Sequence, residues 1–257
     1  MTLRRTSASP ADDDGCGEIN FQSLNDNSEN LTMGTIRAFV TDVSDGTEDG
    51  AIAFRTRKDG SLGERMRIDG SGNVGIGHDS PTAELHIKGD TTDDQVIIEN
   101  TNSGAANAPD LTLFRNSSTP ADNDVLGILR FDGKNDAAET VEYALIQAKA
   151  DDVSDGTEDG ILIFKNIVAG TLTETMRIDG ADVAIGTNSP KSLLHVHEAS
   201  TNDAEIHMTN SSSGSTASDG LTIFANEGSA GLLYRENSPF RIFTNGAEVA
   251  QIGRAHV

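Results

Sequence analysis

The eight residues Val43-Ser44-Asp45-Gly46-Thr47-Glu48-Asp49-Gly50 recur unchanged 110 positions later as Val153-Ser154-Asp155-Gly156-Thr157-Glu158-Asp159-Gly160. Self-similarity at a long fixed period constrains a fold more than any local pattern, because both copies must adopt one architecture. The same offset relates Ser9-Pro10-Ala11-Asp12 to Thr119-Pro120-Ala121-Asp122, Phe21 to Phe131, Ile36 to Ile146, Phe54 to Phe164 and Met66-Arg67-Ile68 to Met176-Arg177-Ile178. After one deletion the offset is 109, and Gly77, Ser80, Pro81, Leu85 and His86 meet Gly186, Ser189, Pro190, Leu194 and His195. A third copy opens at Leu221-Thr222-Ile223-Phe224, echoing Leu111-Thr112-Leu113-Phe114. The expected plan is a first copy over 1–110, a second over 111–220 and a partial third over 221–251.

Within a copy the hydrophobic period is two, which predicts strands. Ile52 and Phe54, Met66 and Ile68, Val74 and Ile76, and Leu85 and Ile87 alternate with small or polar neighbours. Turn residues separate these runs, as at Lys58-Asp59-Gly60 and Asp69-Gly70-Ser71-Gly72. Ala137–Ala150 is rich in Ala and Glu and reads locally as helix, but its counterpart Asn27–Val40 contains Gly34, Thr35 and Phe39. Since both must fold alike, both are expected to be strands, and the whole to be an all-β tandem repeat. The expected inward set is Ile36, Ile52, Phe54, Met66, Ile68, Val74, Ile76, Leu85 and Ile87 with their second-copy equivalents.

Large side chains supply most of the area a core removes from water, and here they are scarce: no Trp, two Tyr and 4% aromatic residues overall. Such a chain builds only a thin core and is expected to stack units or associate with other chains. The net charge of −22, with 19 bases scattered among 41 acids, disfavours nucleic acid and anionic membrane surfaces. The single Cys16 excludes an intrachain disulfide framework or a thiolate metal cluster. No apolar run approaches the length of a membrane-spanning helix.

Glu64-Arg65-Met66-Arg67-Ile68-Asp69-Gly70-Ser71-Gly72-Asn73-Val74-Gly75-Ile76-Gly77, followed by Ser80-Pro81 and Leu85-His86-Ile87, resembles the repeat element of phage tail fibres. The second copy departs by one residue and carries Ala184 where the pattern has Gly. The stretch Tyr143–Phe164 resembles the flanking element of the same fibres. The resemblance covers most of residues 15–200. It implies a homotrimer whose chains run side by side or intertwined, located in the virion, contacting other tail proteins and supporting host attachment through a tip beyond this segment. Fibres of this kind often end in a self-cleaving chaperone, and no counterpart of its Ser/Lys catalytic region is found in these residues. Met1-Thr2-Leu3 aligns with Leu111-Thr112-Leu113, so the chain reads as a fragment of a longer fibre. Its last six residues, Ile252-Gly253-Arg254-Ala255-His256-Val257, match the translation of a common sequencing adapter followed by a stop. Residues 252–257 are therefore expected to be an artefact, although Ile252-Gly253 also suits the repeat.

Candidate chemistry is thin. Asp42, Asp45, Glu48 and Asp49, with Asp152, Asp155, Glu158 and Asp159, supply carboxylates for Ca²⁺, but their spacing misses the EF-hand loop, and acidic Gly-containing clusters are ordinarily solvated turns. His195 and His197 lie two apart, on one face of a strand. Around a trimer axis three such pairs would form a nitrogen cage for a transition metal, but Leu194 and Val196 look like the inward residues, which turns both His outward. No G-x-S-x-G turn, H-E-x-x-H pair or phosphate-binding loop is present. A glycan-cleaving site would pair carboxylates with aromatic platforms, yet Phe21, Phe54, Phe131 and Phe164 fall at repeat-equivalent positions that suit a core. The expectation is a cofactor-free, non-enzymatic fibre segment. A bacterial surface adhesin and, further off, a depolymerising tailspike fragment are the rival readings.

Overall fold

The computed structural model describes residues 2–90, 92, 94–105, 108–236, 239–244 and 247–253. The chain falls into two compact units, Met1–Asp110 and Leu111–Val257. No helix occurs among the described residues, and none is long and apolar enough to cross a membrane. Ala137–Ala150 is not a helix: most of it lies in a strand, as its repeat partner requires.

The first unit is one six-stranded sheet in chain order: β1 (Gly15–Leu24), β2 (Asn30–Asp42), β3 (Asp49–Lys58), β4 (Ser61–Ile68), β5 (Val74–Ile76) and β6 (Leu85–Ile87). The second unit repeats it as β7 (Val125–Lys134), β8 (Thr140–Asp152), β9 (Asp159–Val168), β10 (Thr171–Asp179), β11 (Asp182–Ile185) and β12 (Leu194–Val196). The registers coincide: Ile36 faces Phe54 as Ile146 faces Phe164, and Met66 faces Ile76 as Met176 faces Ile185. Even the bulges repeat, at Gly15/Gly17 and Val125/Gly127, and at Val40/Asp42 and Ala150/Asp152.

Local chemistry explains the corners. Asp59 and Gly60 both have positive φ, which is the geometry of a tight hairpin whose twist matches its strands. The second copy places Ala169 and Gly170 there, also at positive φ, so Ala169 bears a strain that Asp59 tolerates better. The one-residue deletion sits in the next turn. Asp69 Oδ1 accepts the N–H groups of Ser71 and Asn73 across a five-residue corner, whereas Asp179 pairs directly with Asp182. A turn absorbs the missing residue and leaves every strand register intact.

The last strand of each sheet joins in parallel, through a connection of only residues 77–84 or 186–193. Parallel neighbours ordinarily need a crossover of a dozen residues or more. Gly77 and Gly186, both at positive φ, open these short connections.

Most side chains buried within the single chain lie on the sheet face opposite to the expected inward set: Thr35, Phe39, Ala51 and Ala53 in the first sheet and Leu145, Ile161, Ile163 and Ala184 in the second, while the buried Ala150 shares the face of Ile146 and Ala148. The two copies fill the opposite face differently. Phe39 lies beside Ala51, whereas its counterpart Lys149 lies beside Ile161, so bulk lost on one strand reappears on its neighbour. The guanidinium groups of Arg37 and Arg67 flank the Phe39 ring at 5.5 and 5.1 Å, and Arg67 is held by Glu64 in a bidentate pair at 2.6 and 3.0 Å. Thr35 Oγ1 is buried with no hydrogen-bond partner among the described residues, and its counterpart is Leu145. Thr35→Val is therefore expected to stabilise the fold by about 1 kcal/mol by removing an unsatisfied hydroxyl; a urea midpoint that falls instead would show that the hydroxyl has a partner.

After the second sheet, β13 (Ala204–Met208), β14 (Leu221–Ala225) and β15 (Ala230–Tyr234) form a three-stranded antiparallel sheet, and β16 (Phe240–Thr244) pairs with β17 (Ala247–Ile252). The hairpin β13–β14 spans the expected copy boundary at 220. Ile252 ends β17 and Gly253 follows it, while residues 254–257 of the adapter-like tail lie outside the described residues.

Candidate assembly interface

The expected inward residues, continued by Ile19, Gly17 and Ala38 and their second-copy counterparts, form two unbroken rows across all six strands. One row reads Ile19, Ile36, Phe54, Met66, Ile76 and Ile87; the next reads Gly17, Ala38, Ile52, Ile68, Val74 and Leu85. The second sheet matches them with Leu129, Ile146, Phe164, Met176, Ile185 and Val196, and with Gly127, Ala148, Leu162, Ile178, Val183 and Leu194. These side chains face away from the small core that each sheet buries, and many of them stay exposed. Phe21 is 54% exposed, Phe131 55% and Leu85 58%. Directly opposed apolar residues on one sheet face make a single adhesive surface, and an exposed apolar patch of this extent marks an interaction site.

The surface total points the same way. The chain exposes 18760 Å², whereas a compact monomer of 27.1 kDa exposes about 11,000 Å², and two independent globules of half that mass about 13,000 Å². The excess over either is several thousand Å², and the exposed rows contribute to it.

Each apolar face carries a strap from the segment preceding its sheet. A Cβ on Gly17 would stand 2.6 Å from the Leu3 Cβ, and one on Gly127 would stand 2.9 Å from the Leu113 Cβ, so glycine lets the strap lie flat on the sheet. Arg5–Asp14 and Arg115–Asp124 pairs anchor both straps. In the second copy the strap leaves a shallow apolar groove of about 160 Å³ lined by Leu113, Leu126, Leu129, Ile146 and Leu162. These strap residues were absent from the expected inward set, although the alignment of Leu3 with Leu113 held the signal.

The candidate metal residues lie elsewhere. Asp45 and Asp155 sit exposed at the tips of the β2–β3 and β8–β9 turns, and Asp49 and Asp159 are the exposed first residues of β3 and β9. The structured carboxylates of these turns are Asp42 and Asp152, each accepting a backbone N–H from Ser44 or Ser154 at 2.8 and 2.7 Å. Hydrogen bonding from the Ser44 side chain and then its backbone holds the Asp42 carboxyl below the usual range, and Ser154 does the same for Asp152. Because the folded pKa is depressed, this contribution is complete above the ordinary carboxylate pKa and is lost as pH falls through the folded value. Asp42→Asn with Asp152→Asn should therefore flatten the acid limb of a stability–pH curve below about pH 4; an unchanged limb would mean other carboxylates set it.

His195 and His197 share a face, with ring centroids 6.0 Å apart. That face is opposite to Leu194 and Val196, with His195 paired to the fully buried Ala184. His195 Nδ1 is buried without a partner among the described residues, and His197 is exposed. Its first-copy counterpart, His86, instead packs against His78 at 4.3 Å. Among the described residues, no three His, Cys, Asp or Glu side chains converge as a metal site.

No protein-family model and no curated protein sequence matches the chain. Solved structures do match in fold. The carboxy-terminal domain of the bacteriophage T5 L-shaped tail fibre is similar at 10% identity with a TM-score of 0.56, over 75% of this chain and 88% of that one. The same domain with its intramolecular chaperone domain gives 10% identity and a TM-score of 0.56, over 84% of this chain and 68% of that one. An all-β chain of tandem sheets, each leaving one apolar face uncovered, thus shares its fold with a phage tail-fibre domain.

Proposed function

We propose that this chain is a structural segment of a phage tail fibre or related virion fibre, a homotrimeric spacer that holds a receptor-binding tip away from the particle. The observation that carries the reading is the apolar face that runs unbroken across six strands, twice, and stays exposed beyond the strap that crosses each. Three copies that turn these faces towards a common axis would bury them, leaving the Arg/Glu-paired faces in water. The resemblance of Glu64–Ile87 to tail-fibre repeats and the shared fold with the T5 fibre domain support three chains in a virion over an isolated adhesin module. The role is mechanical, with no catalytic step assigned: repeated sheets set length, and the charge of −22 limits side-to-side association of assembled fibres. Partners on this reading are further copies of the chain, neighbouring tail proteins, and a host receptor met through a tip elsewhere in the fibre.

Light scattering coupled to size exclusion on the full chain tests the proposal. A stable species of three chains is the expected result. A cooperatively folded monomer or a dimer would sink the trimer, and a monomer would restore the adhesin-module reading.

A further inference from the structure

We infer that Leu111–Phe114 is a strap with two seats. It lies across the apolar face of the second sheet while that face is open, and it moves to the free edge of β7 when assembly covers the face. The inference rests on the homo-oligomeric reading above and names what assembly displaces.

The repeat supplies both seats, each within the second unit. Leu111-Thr112-Leu113-Phe114 joins no ladder among the described residues and crosses the sheet with Leu113 on Gly127, in the groove of Leu126, Leu129, Ile146 and Leu162. Its counterpart Leu221-Thr222-Ile223-Phe224 lies in the sheet plane as β14, antiparallel to β15, with Thr222 opposite Leu233, Ile223 opposite Leu232 and Phe224 opposite Gly231. The strands that follow are alike, Leu126-Gly127-Ile128-Leu129 in β7 and Ala230-Gly231-Leu232-Leu233 in β15. The glycine meets the segment both times: a Cβ on Gly231 would stand 3.2 Å from the Phe224 ring. One pair of segments therefore occurs face-on once and edge-on once.

The edge seat is the better covered. As a strap, Leu111 is 67% exposed and Phe114 79%, whereas in the ladder Thr222 is buried and Phe224 half-buried. β7 is the outermost strand of its sheet, and its outer N–H and C=O groups form an open edge that strand addition satisfies. The β14·β15 register carried to this edge sets Phe114 opposite Gly127, Leu113 opposite Ile128 and Thr112 opposite Leu129. A cross-strand aromatic ring fills the gap that a strand glycine leaves, so Phe114 extends the apolar row of Gly127, Ala148 and Leu162 by one ring. Arg115 is the pivot, bonding Asp124 at 2.9 Å and the Val125 carbonyl oxygen at 3.2 Å. Neighbouring copies that cover Leu129, Ile146 and Leu162 take the surface on which Leu113 rests, and the strap gives way to them.

Two cysteine pairs in a Cys16→Ser background of the full chain read the two seats. Leu113→Cys with Gly127→Cys reports the face. Leu113→Cys with Ile128→Cys reports the edge, because Ile128, paired with Gln147, points away from the face that Gly127 shares with Ala148. Peptide mass mapping places the oxidised links. The oligomer should link the edge pair at least tenfold more than the face pair, and chains diluted to monomers the reverse. Amide exchange on the unmutated chain is the independent reading, with Leu111–Phe114 protected at least tenfold more in the oligomer. An oligomer that keeps the face link and leaves these amides fast overturns the move and leaves the fibre reading standing. So does an edge link that joins two chains, visible on a non-reducing gel. A chain that is monomeric at every concentration overturns both.

Discussion

Phe54→Asp together with Phe164→Asp is expected to convert the assembled protein into soluble, still β-structured monomers. Both rings sit mid-row on the outward apolar face, opposite Ile36 and Met66 in one sheet and Ile146 and Met176 in the other. Neither belongs to the small core that each sheet buries on its opposite face, so the strands and their hydrogen bonds can survive the change. A Phe ring taken out of water contributes about 1.5–3 kcal/mol. Phe54 is 37% exposed in the single chain and Phe164 is half-buried, so covering what remains of each ring contributes roughly a third of that, and the six rings of a trimer on the order of 3–6 kcal/mol of association energy. Each buried carboxylate adds a further cost. The matched control places the charge on the other side of the same strand, at Arg55 and Lys165, where Arg55→Asp and Lys165→Asp should leave the oligomer intact. Light scattering with far-ultraviolet circular dichroism reads both results. A double mutant that still assembles would show that this face is not the contact surface.

That experiment bears on what could and could not be read from the residues. The alternation of Ile52 with Phe54 and of Met66 with Ile68 identified strands and sorted their faces, and the repeat rescued Ala137–Ala150 from its helical composition. Alternation does not say what covers a face. The residues from Ile36 to Ile87 were expected to point inward, and they face away from the small core that the single chain buries. In the first sheet the side chains that the chain buries by itself are, apart from Phe39, the small or polar Ala51, Ala53 and Thr35, which carry almost no signal of a core. Nor does alternation give strand direction, so the parallel pairing of Leu85–Ile87 with Val74–Ile76 was invisible. Leu111–Phe114 and Leu221–Phe224 show the limit most plainly: nearly identical residues are unpaired in one place and central in a sheet in the other, because pairing depends on which segments the surrounding chain can deliver. The site residues fared likewise. His195 and His197 were legible as a pair on one face and as turned away from Leu194 and Val196, and the acidic clusters were legible as turns, but not that Asp42 and Asp152 within them cap the backbone while Asp45, Asp49, Asp155 and Asp159 stay exposed.

The short parallel joint at the end of each sheet yields a sharp local prediction. Gly186 has φ of 78°, and a Cβ there would collide with the carbonyl oxygen of His197. Gly77 repeats the arrangement, with φ of 67° and the Lys88 carbonyl oxygen in the way. The close approach is what lets an eight-residue connection return in parallel: the Gly186 N–H bonds Thr175 O at 3.1 Å while the His197 N–H bonds Ile185 O at 2.9 Å. Gly186→Ala meets two penalties, a left-handed backbone disfavoured for an L-residue and a collision with backbone that no side-chain rotation relieves. Together they should cost about 2–4 kcal/mol. A three-residue edge strand has few hydrogen bonds with which to resist, so the loss should appear locally, as faster amide exchange over Leu194–His197 with β7–β10 still protected. Ala184→Gly is the informative contrast. It lies two residues away on β11, where the first copy already has Gly75 and the second buries the extra methyl completely, so it should cost about 1 kcal/mol and leave the joint closed. If Gly186→Ala behaved like Ala184→Gly, the parallel joint would owe its closure to the pairing of β11 with β12 and not to the glycine that lets the chain turn back.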